Sequence, residues 1–256
     1  MERFSFIFLV AGLGFFALAF AVSGYIPMLP VADLNVRTVE QLAAIPPLDF
    51  IEMPEQYPEA FEKAFGAHKK PDGSYDMPAA FEEALRLGHK TYIAEACWHC
   101  HSQQVRPWGH DEDRYGPVSF PEEYHHELGM PPLWGTRRVG PDLIRLGGTR
   151  SNDWHVAHFW HPPDVNPLSV MPDYKWFFEP DGKTPNKIGL SIIAYVQWLG
   201  TWIDAPRETV YTLDRIDRTN PEPVFRDGPP RTLPQTAAPA SGNNTVPADD
   251  AADDAY

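Results

Sequence analysis

The chain has 256 residues, and its 35 acidic side chains outnumber 21 basic ones to give a formal charge of −14. Phosphate binding needs clustered Lys and Arg, so this balance disfavours nucleic acid as a partner. Prolines (28) and glycines (18) are abundant and β-branched runs are scarce, which argues against a large sheet and predicts a mainly α protein of short helices joined by long, turn-rich loops. Two cysteines, Cys97 and Cys100, are too few for a disulfide scaffold.

In chain order, the first element is an apolar run, "FSFIFLVAGLGFFALAFAVSGYI", from Phe4 to Ile26. As a helix it would reach about 34 Å and cross a hydrocarbon core. A cleaved signal peptide competes with a retained anchor, and "AFA" at Ala19 to Ala21 offers a processing site. The charged start, Glu2 and Arg3 only, and the apolar continuation to the interfacial Tyr25 favour a retained single-pass anchor over residues 1–30. Arg3 inside and the bulk of the chain outside is the simpler topology.

Residues 31–77 are rich in proline and read as a connector with one short helix near Glu59 to Ala67. The main domain is expected over 78–203. It opens with a helix in which Phe81, Ala84, Leu85, Gly88 and Tyr92 recur at helical spacing after Pro78, placing the cysteines at that helix's end. Ser102 to Tyr174 shows little periodicity apart from "SNDWHVAHFWHPP", where Ser151 caps a short helix stopped by Pro162. A last helix puts Ile188, Ile192, Tyr195, Val196 and Leu199 on one face, with Gly200 to end it. Residues 204–256 read as an acidic, Pro/Ala-rich tail too polar to order itself.

The chemistry concentrates in "EACWHCHSQQ". Cys-x-x-Cys-His is the attachment signature of c-type haem, with two thioether bonds from Cys97 and Cys100 and His101 ligating the iron. A thioredoxin-like thiol pair would need a βαβ context, and a zinc half-site would need a second ligand pair. With no further cysteine, one covalent haem c is the limit. For a sixth ligand the methionines Met53, Met77, Met130 and Met171 all precede a proline. Met171 stands out because it follows the attachment motif and precedes the last helix; Met130 is second, and His155, His158 and His161 offer a bis-histidine alternative.

The stretches "GHKTYIAEACWHCHSQQVRP", "RYGPVS", "LWGTRRVGPDLIRLGG", "SNDWHVAHFWHP", "SVMPDYKW" and "IIAYVQWLG" together resemble the membrane-anchored monohaem subunit (subunit II) of cbb3-type cytochrome c oxidases. The resemblance implies a class I cytochrome c-like domain with long loops behind one transmembrane helix. It also implies thioethers at Cys97 and Cys100, and axial ligation by His101 and Met171. Pro141 in "VGPDL" would accept the His101 Nδ1–H bond that orients the ring. Gly88 would meet Tyr195 or Trp198 where the first and last helices cross. Of Arg106, Arg114, Arg137 and Arg138, the last two are the candidates to pair with haem propionates. Trp134, Trp154 and Trp160 could pack on the porphyrin or simply on the core.

The implied function is electron transfer, through one haem c, to the catalytic subunit of a haem-copper oxidase. The implied partners are that subunit, other cytochrome c subunits and the lipid bilayer. The implied place is a bacterial inner membrane, with the cytochrome on the periplasmic side. A tethered cytochrome shuttle, a nitric oxide reductase haem subunit and a thiol oxidoreductase compete. Gly12, Gly14, Ala17 and Ala21 form a small-residue stripe on the anchor that suits a helical partner.

Overall fold

The computed structural model of the chain describes residues 2–201, except 33 and 136. The tail expected over 204–256 lies outside the described residues. Among the described residues there is no β-strand, only four isolated bridges between loops.

The N-terminal helix runs as α1 (Glu2–Phe20), a π-helical turn (Ala21–Tyr25) and α2 (Ile26–Ala32). Phe4–Leu29 is long and apolar enough to cross a bilayer, and none of it is buried against the rest of the chain. The helix passes Pro27 without a break. Proline removes one N–H donor and crowds the carbonyl four residues back, and the wider π turn just before Pro27 lets the helix absorb that defect.

Beyond Ala32 the chain is tied down at once. His125 Nε2 donates to the Leu34 carbonyl at 2.7 Å. Arg37 exchanges backbone hydrogen bonds with His125 and Glu127, at 3.2 and 2.9 Å. Thr38 and Gln41 then form a capping box that starts α3 (Val39–Ala43), whose first N–H is held by the Glu127 carboxylate at 2.9 Å.

The segment expected as an irregular connector is folded. After α3 come α4 (Leu48–Ile51), α5 (Met53–Gln56) and α6 (Pro58–Phe65). Pro54 and Pro58 sit in the first turns of α5 and α6, where a missing N–H costs nothing, so these prolines start helices rather than prevent them. Val39, Leu42, Phe50, Met53, Phe61 and Phe65 are buried. Phe50 packs its ring against Phe61, Phe65 and Phe81 at centroid distances of 5.7, 6.1 and 4.8 Å, joining this segment to the core of the next helix.

That helix is α7 (Met77–Ala94), capped by the Asp76 carboxylate with Pro78 in its first turn. After a loop region holding α8 (Cys97–Cys100) and α9 (Asp111–Tyr115), Ser151 caps α10 (Asn152–Trp160) by accepting from Trp154 N at 3.2 Å. Asn186 caps α11 (Lys187–Trp198), holding Ile188 N and Gly189 N. α7 crosses α11 where Gly88 faces the Ser191 carbonyl and Tyr195; a Cβ on Gly88 would lie 2.1 Å from that oxygen.

One amphipathic face was expected on α11, yet Gly189 to Trp198 are all buried while Ile188 is half-exposed. The helix touches α4, α6, α7 and α10, so it has no solvent face. Its polar Gln197 is satisfied by Arg150 O, at 2.7 Å, and by Asn152 Oδ1, at 3.2 Å. Gly200 ends it at φ +83, a conformation that favours glycine.

Candidate functional site

Glu95 closes α7 by returning its N–H to Thr91 O, and Ala96 then turns the chain through the left-handed region at φ 57. The cysteines therefore stand on their own short turn, α8, rather than on the end of α7. This turn separates Cys97 from Cys100 by about one helical repeat and leaves Cys97 half-buried and Cys100 exposed. Burial pushes the Cys97 thiol up to about 12, assisted by the Glu95 carboxylate. A redox-active cysteine needs the opposite shift.

His101 follows in extended conformation, and the structure builds a seat around it. Its Nδ1 donates to the Pro141 carbonyl at 2.9 Å, the contact expected from the sequence. That acceptor assigns the Nδ1–H tautomer and leaves the Nε2 lone pair free for an electrophile. The ring lies on Gly140: a Cβ there would come within 2.3 Å of Cε1 and 2.7 Å of Nδ1. Gly140 N in turn donates to Cys100 O at 2.9 Å, and Gly135, at φ +67, lets the backbone pass the His101 carbonyl. Burial lowers the His101 pKa, against the opposing pull of Pro141 and Asp142, so the neutral ring that can act as a ligand prevails.

Beneath this seat is a hub that the sequence did not reveal. The buried Asp142 carboxylate accepts from Ser102 Oγ at 2.5 Å, Gln104 N at 2.8 Å and Ile144 N at 3.0 Å. Burial raises its pKa, and those hydrogen bonds work the other way. Arg138 closes the hub: NH1 meets Asp111 at 2.5 Å, Nε donates to Ser102 Oγ, and NH2 donates to Gln104 O and lies 3.6 Å from Asp142. Arg138, a propionate candidate in the sequence, fastens these loops through contacts from Nε, NH1 and NH2. Arg137 is exposed. The only sequence signal for the hub was Asp142 in "GPDL", which reads as an ordinary turn.

The segment after Met171 comes back to the same place. Trp176 Nε1 donates to Glu95 Oε1 at 3.0 Å, and the Tyr174 hydroxyl is near enough to the Cys97 thiol to influence its titration. Met171 is partly buried against the core. The other methionines go elsewhere: Met130 is 64% exposed, Met53 is buried in the phenylalanine cluster, and Met77 begins α7, whose far end leads to the cysteines.

The three histidines of α10 and its cap part ways. His155 is buried and its pKa pushed down to about 3 by burial. His158, stacked on Trp154 at 4.6 Å, is pushed down to about 4 by burial and by His101 nearby. His161 pairs with Asp173 at 2.9 Å. Trp134 is largely exposed, whereas Trp154 and Trp160 are half-buried.

A c-type haem fits this donor set: two thiols one turn apart, a neutral imidazole with its Nδ1 proton committed, and glycine where the ring needs room. Among the described residues no group of three or more His, Cys, Asp or Glu is placed to hold a bare metal ion. The family described as cytochrome C oxidase, mono-heme subunit/FixO matches residues 80–187, from the first turn of α7 to the start of α11. No curated protein matches the chain.

Proposed function

We propose that the chain, whose residues 80–187 match the mono-haem subunit family of cytochrome c oxidases, is the membrane-anchored electron-transfer subunit of a haem-copper oxidase. In this reading it carries one haem c and passes electrons to the catalytic subunit. The family implies a haem and association with an oxidase complex. Cys97 and Cys100 would hold the group by thioethers, and His101 Nε2 and the Met171 sulfur would ligate its iron. When bound, the haem iron supplies a one-electron ferric/ferrous couple, which a thioether ligand poises toward the ferrous state. The Pro141 carbonyl holds the His101 proton on Nδ1 and so strengthens the imidazole as a donor. The observation that carries this reading is that contact, made on a glycine seat beside a Cys-x-x-Cys turn.

A fixed subunit is favoured over a tethered shuttle by the short path between anchor and domain. α2 ends at Ala32, and the Leu34 carbonyl is already bonded to His125. Two residues reach about 7 Å at full extension, too little for a roaming domain. The single apolar helix serves as the anchor, with the cytochrome on the periplasmic face of the inner membrane.

Purification in mild detergent tests the proposal. The chain should show one c-type haem per polypeptide in alkaline pyridine and should migrate with a larger haem-copper partner in native electrophoresis. Met171→Ala should abolish the long-wavelength methionine-to-iron charge-transfer band. A colourless chain sinks the proposal, and survival of the band moves the ligand role to Met130.

A further inference from the structure

We propose that Asp173, clamped between His161 and Lys175, is a positioning residue that holds the Met171 loop at its post; this rests on Met171 being the axial ligand. The loop leaves α10 at Trp160 and returns at Tyr174. Its base is closed by Tyr174 N donating to Phe159 O at 2.9 Å and by Lys175 Nζ donating to Trp160 O at 2.5 Å. The same ammonium sits over the Trp160 ring at 3.7 Å. Asp173 bridges the two sides of that base: Oδ1 accepts from His161 Nδ1 at 2.9 Å, and Oδ2 faces Lys175 Nζ at 3.3 Å.

The ascending limb of the loop is tied by short-range bonds, Asn166 N to Pro162 O at 3.0 Å and Ser169 N to Asn166 O at 2.9 Å. Met171 N reaches only Ser169 Oγ, at 3.2 Å. Leu168 and Val170, on either side of that serine, are 78% and 76% exposed, so at the apex only Met171 packs against the core. On the descending side one residue separates Met171 from the clamp, and it is Pro172. A proline holds φ near −65°, so the linkage from the Asp173 backbone to Met171 is short and stiff. An isolated exposed ion pair contributes little, but here one carboxylate unites a ring N–H with an ammonium that is itself bonded to backbone and stacked on an indole. Such a network governs where the loop sits more than whether the domain folds.

The test uses the full haem-loaded chain in detergent, in the ferric state, with imidazole as a competitor for the methionine site. Asp173→Asn should weaken the methionine charge-transfer band and tighten apparent imidazole binding about fivefold, as expected for loss of a networked pair. Asp173→Glu should return it toward the parent value. His161→Gln should act in the same direction, and the double variant should add little, because both changes break one contact. Imidazole binding by Asp173→Asn within about twofold of the parent would overturn the clamp, as would a matching fall in the urea midpoint, which marks a merely structural residue. Persistence of the band in Met171→Ala would instead overturn the ligand assignment itself.

Discussion

Replacing Gly88 by alanine perturbs the crossing of α7 and α11 on which the helical domain is built. The new Cβ would lie 2.1 Å from the Ser191 carbonyl oxygen and 2.6 Å from Tyr195 Cβ. Carbon and oxygen need a little over 3 Å, so α7 and α11 must part by about 1 Å, and the obstacle is backbone that no rotamer change can clear. Overpacking of this kind costs about 3 kcal/mol, at the upper end of the usual range. The better helix propensity of alanine returns about 1 kcal/mol, leaving a net loss of about 2 kcal/mol. With a urea slope of about 2 kcal/mol/M, the unfolding midpoint should drop by about 1 M. Circular dichroism during urea unfolding of the detergent-solubilised chain reads this directly. Gly12→Ala serves as control, because nothing lies within 4 Å of its Cβ position. An unchanged or higher midpoint for Gly88→Ala would refute the close crossing.

Gly140→Ala attacks the histidine seat rather than the core. Its Cβ, 2.3 Å from His101 Cε1, must displace the ring and stretch the 2.9 Å bond to Pro141, at a cost of about 1–3 kcal/mol. The haem should stay attached through the thioethers while its visible spectrum acquires a high-spin component; a spectrum identical to the parent would refute the seat. A pH dependence follows from His155, whose pKa burial holds at about 3. Its folded-state pKa lies below the unfolded value, so the unfolded chain takes up a proton below about pH 6.5 that the native chain refuses. Stability from this residue is complete above that pH and is lost as pH falls, by about 2 kcal/mol between pH 7 and 5. His155→Phe should flatten that part of the profile in urea unfolding at the two pH values; buried Glu123 and Asp142, raised by burial, act oppositely but equally in both proteins. An equal pH loss in variant and parent would rule out the buried neutral imidazole.

Much of the site was legible because its signals are local. Cys97, Cys100 and His101 lie within five residues, and the meaning of that spacing does not depend on the rest of the chain. Ser151 as a cap, Pro78 in a first turn and Gly200 at a helix end are likewise decided by backbone groups a few residues away. The meeting of Gly88 with Tyr195 was expected through the family resemblance, not from the residues themselves, and the structure brings the two together.

Other features were decided only when distant residues met. Helices of four or five residues, such as α4 and α5, are too short to show a period, so the burial of Phe50 and Met53 appears only when Phe81 arrives from the next segment. The contacts of Arg138 were not legible because its partners, Asp111, Ser102 and Gln104, lie 27 to 36 positions earlier in the chain. Four methionines with the same proline neighbour differ in burial only once the chain is folded: Met53 is buried, Met130 is exposed and Met171 packs partly against the core. Sequence by itself determined the chemistry on offer, because covalent attachment and capping act over one helical turn. Tertiary structure decided how Arg138 and Asp142 are paired and which aromatic side chains are buried, because those depend on contacts that exist only once α7 and α11 have crossed.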